Sequence, residues 1–447
     1  MVALLTTDRG TQLVHYPVML VQRELLLSPR CEGHERASTL LSKLVNKGLG
    51  LPALASILIR YKSDFRRGLF NLTMINSGGW DVDYGPWLDG VAAFTHAAVS
   101  KDQMDWKQQR GPYFGALKVG LDSNPSTSIP NQCMSAWQLT TSTDDPKHAR
   151  VREILHKSAP GLQANDNKNE APKLILPSSV SSLPIDDVEL DALVPVVGMN
   201  VFRRIFGDEL QDGLWEKNLG DLLSEYNRIG AACAVGLMTG KKDRIGEVVS
   251  LVAERILETK VGQAMHKMAE NGSPTINGDS FINMLAFGYV FAGQGGSSHL
   301  TRSALKRIRS NPAFYTPLWL SNKRAFLLEQ ARLDPPVTSY TSLMPENTNV
   351  EIMGKKMIIP KGMERQMFIV TANRDPRVFA NPWRFDTTRT NLDQVLSWNG
   401  PTGAVGMGIQ ATPRGCPGHS VSIAVATQVI DHFRPKVKKQ STTKSEL

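Results

Sequence analysis

The sequence predicts a mainly α protein with a small β part, and three observations carry that expectation. Between residues 186 and 333, five segments place apolar residues at i, i+3 and i+4, the spacing of one helix face. NVEIMGKKMIIPKGMERQMFIV, at 349–370, then changes to short runs of β-favouring residues, divided by Gly354-Lys355 and by Pro360-Lys361-Gly362. The composition, 41% hydrophobic and 21% charged, is that of a globular chain able to bury a sizeable core.

Taken from the N-terminus, residues 1–145 mix tryptophans and glycines in stretches such as NSGGWDVDYGPW, and no order of elements can be read there. DDPKHARVREILHKSA, 144–159, reads as a short charged helix. Residues 160–185 read as a loop-rich insertion, since Asn, Pro and Ser dominate QANDNKNEAPKLILPSSVSSLPIDD. The helical segments follow: VELDALVPVVGMNVFRRIF, DLLSEYNRIGAACAVGLM, IGEVVSLVAERILETKVGQAMHKMA, FINMLAFGYVFAGQGGSSHLTRSALKRI and LWLSNKRAFLLEQARL. Beyond the β part come the loop NRDPRVFANPWRFDTTR, the glycine-rich SWNGPTGAVGMGIQATPRG and a last helix whose Ile423, Ala426, Ile430 and Phe433 share a face. We expect one domain over 1–433 and a basic, disordered tail over 434–447, where RPKVKKQSTTKSEL holds five positive residues and one negative.

The net charge of +9 suits an acidic partner, an acidic substrate or peripheral contact with an anionic membrane, although a solvated basic face is its ordinary origin. No nucleic-acid partner is expected. No apolar run reaches transmembrane length, and MVALLTTDRGTQ has neither the basic nor the apolar region of a secretory signal, so the expected location is cytoplasmic. The KSEL ending is read only in a lumen that nothing here delivers the chain to. Cys31, Cys133, Cys233 and Cys416 show neither a C-x-x-C pair nor zinc-ligand spacing, which excludes a disulfide framework and a zinc site.

Cys416 has unusual neighbours, lying between Arg414-Gly415 and Pro417-Gly418 just ahead of the last helix. A thiolate where a glycine-containing loop enters a helix is stabilised by free backbone N–H groups and the helix dipole, which suits a metal ligand. Gly415 and Gly418 let the backbone approach a flat group, and Arg414 can pair with an anionic substituent of it. Glu329 and Arg332 stand one turn apart in LEQARLDPPV and can form a buried ion pair, which Arg389 would join by bonding to both.

The ordered set E-x-x-R, P-P, I-P-K-G, N-R-D-P-x-x-F-x-x-P-x-x-F-x-x-x-R and C-x-G, over roughly residues 280–433, resembles the cytochrome P-450 superfamily of haem-thiolate enzymes. The resemblance implies that fold, haem b as cofactor and Cys416 as the axial iron ligand. It also implies that Glu329, Arg332 and Arg389 hold the cysteine loop. Arg414 would contact a propionate, as would His148 and Arg152 of D-P-K-H-A-R-V-R, which looks like the family's D-P-x-H-x-x-x-R helix.

The departures bear on the chemistry. The aromatic residue expected just before the cysteine is Trp398, eighteen residues upstream, with Gly408, Ile409, Thr412 and Arg414 filling the nearer positions, so the loop is enlarged. On the distal side the family's A-G-x-D/E-T is matched by Ala292-Gly293-Gln294-Gly295-Gly296, where the acid and alcohol that relay protons for dioxygen cleavage are both glycine. Ser297 or Ser298 would have to stand in, by a shifted register. A substrate that already contains an O–O bond needs no such relay. L-D-P-P-V, F-x-x-x-G-G and W-N-G-P are similar to the allene oxide synthase, hydroperoxide lyase and divinyl ether synthase clan, and A-N-R-D-P-x-V-F-x-N-P to the haem-thiolate half of fungal fatty-acid diol synthases. The expected activity is rearrangement or dehydration of a fatty-acid hydroperoxide, without reductant or dioxygen, by residues 292–296 facing the reacting group. Phe287, Tyr289 and Phe291 would line an apolar pocket for a lipid-like substrate. Open beside it stand a monooxygenase served by a redox partner, a haem-binding protein without turnover, and a coincidental motif that binds no haem.

Overall fold

The computed structural model describes residues 84–87, 90–105, 109–110, 146–163, 173–181, 188–207, 243–352, 355–407, 412 and 414–435. The readings at Cys31, Cys133, Cys233, Gly408 and Ile409, the helix at 221–238 and the tail from 436 lie outside these residues, as do 164–172 and 182–185 of the loop-rich insertion.

The helices are α1 (His96–Gln103), α2 (Pro146–Ser158), α3 (Pro160–Gln163), α4 (Ser178–Ser181), α5 (Leu193–Phe206), α6 (Asp243–Glu258) and α7 (Lys260–Glu270). They continue with α8 (Gly278–Gly288), α9 (Gly295–Ser310), α10 (Pro312–Ser321), α11 (Lys323–Leu333), α12 (Ile369–Ala372), α13 (Thr402–Gly406) and α14 (His419–Phe433). Capping fixes the starts of several: the side chains of Thr259, Asn277, Asn311 and Asn322 accept from backbone N–H groups three residues on, at 2.8 to 3.2 Å. The expected single helix over 318–333 is two, because Asn322 takes an extended backbone and caps α11. The expected continuous helix over 281–308 is also divided. A π-helical segment, Tyr289–Gln294, joins α8 to α9, in a stretch whose glycines weaken regular helix.

The core forms where α9 packs on α5 and α14. Val196, Val197 and Val201 of α5 are buried with Leu300, Ala304 and Ile308 of α9. The α14 face read from the sequence is the buried one, with Ile423, Ala426, Ile430 and Phe433 all inside. No helix among the described residues is long and apolar enough to cross a membrane.

The β part is a five-stranded sheet and a hairpin. In the sheet β1 (Tyr84–Trp87), β2 (Gly90–Ala93), β7 (Glu364–Met367), β4 (Tyr340–Leu343) and β3 (Gln109–Arg110) lie side by side in that order, β2 parallel to β7 and the other pairs antiparallel. β5 (Thr348–Ile352) and β6 (Lys355–Ile359) form the hairpin, with Val350 opposite Met357. Three sheet strands therefore come from the region where no order could be read. Asp102 ties α1 beneath this sheet: it accepts from Tyr340 and Ser342 hydroxyls at 2.7 Å and pairs with Arg365.

A second buried ion pair organises the chain ahead of the last helix. Arg332 donates through Nε and Nη2 to Glu329 at 2.7 and 2.8 Å, and both side chains are fully buried. Arg332 also donates to the carbonyls of Asn373, Pro382 and Arg384. Arg389 joins through Glu329, at 3.1 Å, rather than by bonding to both partners as expected; the two guanidiniums are like charges and share only the Arg384 carbonyl. Removing one member leaves the other charged, dry and unpaired, so Glu329→Ala should lose about 3–5 kcal/mol. Urea unfolding measures this, and a midpoint close to wild type would show that the pair is not structural.

Candidate functional site

Cys416 lies in the loop between α13 and α14. Its N–H donates to the Trp398 carbonyl at 2.9 Å, so the enlarged loop still brings the distant tryptophan to the cysteine. An added Cβ on Gly415 would lie 1.9 Å from Thr412 Oγ1, and one on Gly418 would lie 3.8 Å from the sulfur. The first glycine is required by close approach and the second leaves the thiol open on one side. Burial pushes the Cys416 thiol up, against the downward pull of the Gly418 N–H and the Arg152 guanidinium. The expected support at the helix start is present and outweighed by burial, so the thiolate form calls for a bound cation.

His148 and Arg152, one turn apart on α2, line the same cavity as Arg414 and Cys416. Burial, followed by the neighbouring Arg414 and Arg152, drives His148 down to about 3 and keeps its imidazole neutral. Arg152 is lowered by burial to about 10, which leaves it cationic at neutral pH, and its Nη2 donates to the Gly415 carbonyl at 2.6 Å. It therefore braces the cysteine loop as well as facing the cavity.

The cavity measures roughly 210 Å³. Cys416, Pro417 and Gly418 line it together with the polar residues His148, Arg152, Asn399 and Arg414. Val151, Leu155, Leu162, Ile205, Phe206 and Leu285 make apolar walls, and Gly288, Tyr289, Ala292 and Gly293 complete the lining. No carboxylate lines it among the described residues, so two buried guanidiniums face a space suited to an anionic group.

The five residues expected to face the reacting group divide. Ala292 and Gly293 line the cavity; Gln294, Gly295 and Gly296 do not. Gln294 is wholly buried rather than facing solvent or a loop, and its Nε2 donates to Ser298 Oγ at 3.4 Å. Ser297 and Ser298 are buried and also off the lining. Added Cβ atoms at Gly295 and Gly296 would meet only Val290 O at 3.6 Å and Pro336 Cβ at 3.9 Å, ordinary contacts, so packing does not demand either glycine. Phe287 is buried in the core, and Tyr289 lines the cavity with its hydroxyl donating to the Gly198 carbonyl at 2.7 Å.

Two residues were not found from the sequence. Asn399 left one signal, the asparagine-glycine pair of W-N-G-P. His419 left none beyond its place after C-P-G. It is buried edge-on to Trp398, ring centroids 4.8 Å apart, with neither ring nitrogen hydrogen-bonded. Burial, with Arg324 nearby, lowers it from 6.5 to about 4. The unfolded chain then takes up this proton before the folded one does. Stability is full above pH 6.5 and declines toward pH 4, with a loss from this group of up to roughly 3 kcal/mol. His419→Leu should flatten the fall in urea midpoint over that window; an unchanged slope would remove His419 as its source.

Neither the protein-family models nor the curated proteins contain a match to the chain. Solved structures do. The Tepidiphilus thermophilus P450 haem domain is 14% identical with a TM-score of 0.56, covering 81% of this chain and 85% of that one. A substrate-free Mycobacterium marinum cytochrome P450 is 16% identical with a TM-score of 0.53, over 84% and 86%. P450BioI, in complex with an acyl carrier protein ligated with hexadec-9Z-enoic acid, is 15% identical with a TM-score of 0.50, over 83% and 91%. The chain has the cytochrome P450-type fold, mainly α with a small β part.

Proposed function

We propose that the chain is a haem-thiolate enzyme that rearranges or dehydrates an organic hydroperoxide, of the polyunsaturated fatty-acid class, with neither external reductant nor dioxygen. The observation that carries this reading is the wall formed by Ala292 and Gly293, with Gln294, Gly295 and Gly296 off the cavity lining. The residues present fit haem b. Cys416 offers its sulfur to the iron, Arg152 and Arg414 offer positive charge to the propionates, neutral His148 offers an N–H, and Ala292-Gly293 lets a flat group lie close. Bound haem would supply one-electron cleavage of the O–O bond.

The protein's own residues then decide the course. Splitting an O–O bond into ions needs a proton on the departing oxygen, and no acid or hydroxyl side chain at 292–296 supplies one. Splitting it evenly needs none. The walls of Val151, Leu155, Ile205, Phe206 and Leu285 exclude water and suit a hydrocarbon chain. The fatty acyl ligand in the P450BioI complex supports a lipid-like substrate for this fold.

The buried Gln294–Ser298 pair favours a second reading, a monooxygenase whose relay has moved one turn along the helix and which draws electrons from a redox partner. Anaerobic incubation of the purified ferric protein with a polyunsaturated fatty-acid hydroperoxide separates the two. Consumption without reductant, abolished in Cys416→Ala, is the expected result; turnover only with dioxygen and an electron donor would establish the second reading instead.

A further inference from the structure

The turn Trp398-Asn399-Gly400 is bound to the cysteine through the Trp398 carbonyl. Its backbone is unusual at two successive positions. Asn399 has φ +58° and Gly400 φ +155°, and an added Cβ on Gly400 would meet Val405 Cγ2 at 3.1 Å and Thr412 Cγ2 at 3.2 Å. Gly400 is thus fixed by conformation and space. Asn399 is held by conformation alone, since asparagine is among the few residues other than glycine that enter the left-handed region readily, and the turn therefore admits an amide side chain here. Asn399 lines the cavity that Arg414, Arg152 and His148 also line. Two cations, a neutral imidazole and an amide converge on one space, and no carboxylate among the described residues lines it.

We propose that Asn399 is a carboxylate-binding residue, its amide N–H₂ completing the site that Arg414 and His148 begin. The carboxylate can belong to the cofactor, an assignment that rests on the haem reading, or to a fatty-acid substrate. An N–H₂ donor is the match for a carboxylate oxygen, and the tight turn holds it in place before the ligand arrives.

Two variants of the full-length chain test this. Asn399→Gly keeps the backbone conformation and removes the amide; Asn399→Asp keeps the shape and brings a negative charge to the same place. The first readout is the rate of haem loss to an apo-globin scavenger. The second is the half-saturation of the ferric protein's spectral change by a polyunsaturated fatty acid against its methyl ester. Loss of a hydrogen bond to a charged group corresponds to about a 10-fold effect or more. Faster haem loss by that factor, greater for Asp than for Gly, assigns the cofactor's carboxylate. A preference for acid over ester reduced by that factor assigns the substrate's. Both variants within twofold of wild type in both measurements would overturn the proposal and leave Asn399 as a turn residue only. If the wild-type chain takes up no haem, the haem reading fails by itself. The acid-against-ester comparison, then made by calorimetry on the haem-free chain, still decides Asn399.

Discussion

Glu329 and Arg332 share one turn of α11 at full burial, and most of what positions the cysteine is referred to them. Such a pair is held only if every remaining donor and acceptor is filled. The chain from 373 to 389 fills them: the Asn373, Pro382 and Arg384 carbonyls take the outer protons of Arg332, and the Asp386 N–H and Arg389 reach Glu329. From Asn373 the constraint passes on. Its side-chain oxygen accepts from Leu396 N–H at 2.9 Å, Ser397 donates to the Ala331 carbonyl, and the Trp398 carbonyl receives the Cys416 N–H. The thiol is therefore placed through a continuous set of hydrogen bonds, and the ion pair's desolvation cost is offset by fixing a long, irregular segment in one arrangement.

On this frame the two sides of the cavity differ in kind. The cysteine side is over-determined: Gly415 is squeezed by Thr412, Arg152 braces the Gly415 carbonyl, and Trp398 holds the backbone. The facing side is under-furnished. A π-helical segment presents Ala292 and Gly293, and the polar side chains nearby turn into the protein. Burial raises the thiol and lowers His148, so the cavity's fixed charge comes from its arginines, which suits an anionic ligand carrying its own metal. The chemistry proposed for the site follows from that asymmetry.

Much of this was legible in the sequence because it is local. The α2 pair His148 and Arg152, the Glu329–Arg332 turn and the buried face of α14 all follow from helical spacing, and the structure places each accordingly. What was not legible depends on distant pairing. β1, β2 and β3 are short, and β2 pairs in parallel with a strand more than 250 residues on, which no local pattern announces. The division at Asn322 was hidden because apolar spacing runs on across the cap. The direction of Gln294 depends on the π segment, which shifts the helix register just where the motif lies. Asn399 and His419 reach the site through a turn conformation and a packing choice, neither of which has a periodic signature.

Whether Cys416 binds iron as a thiolate is read from the absorption spectrum of the dithionite-reduced, carbon monoxide-treated protein. A thiolate-bound haem gives a strongly red-shifted Soret band, which wild type should show and Cys416→Ala should lack. Haem uptake with an ordinary, unshifted band in both proteins would contradict thiolate ligation by Cys416.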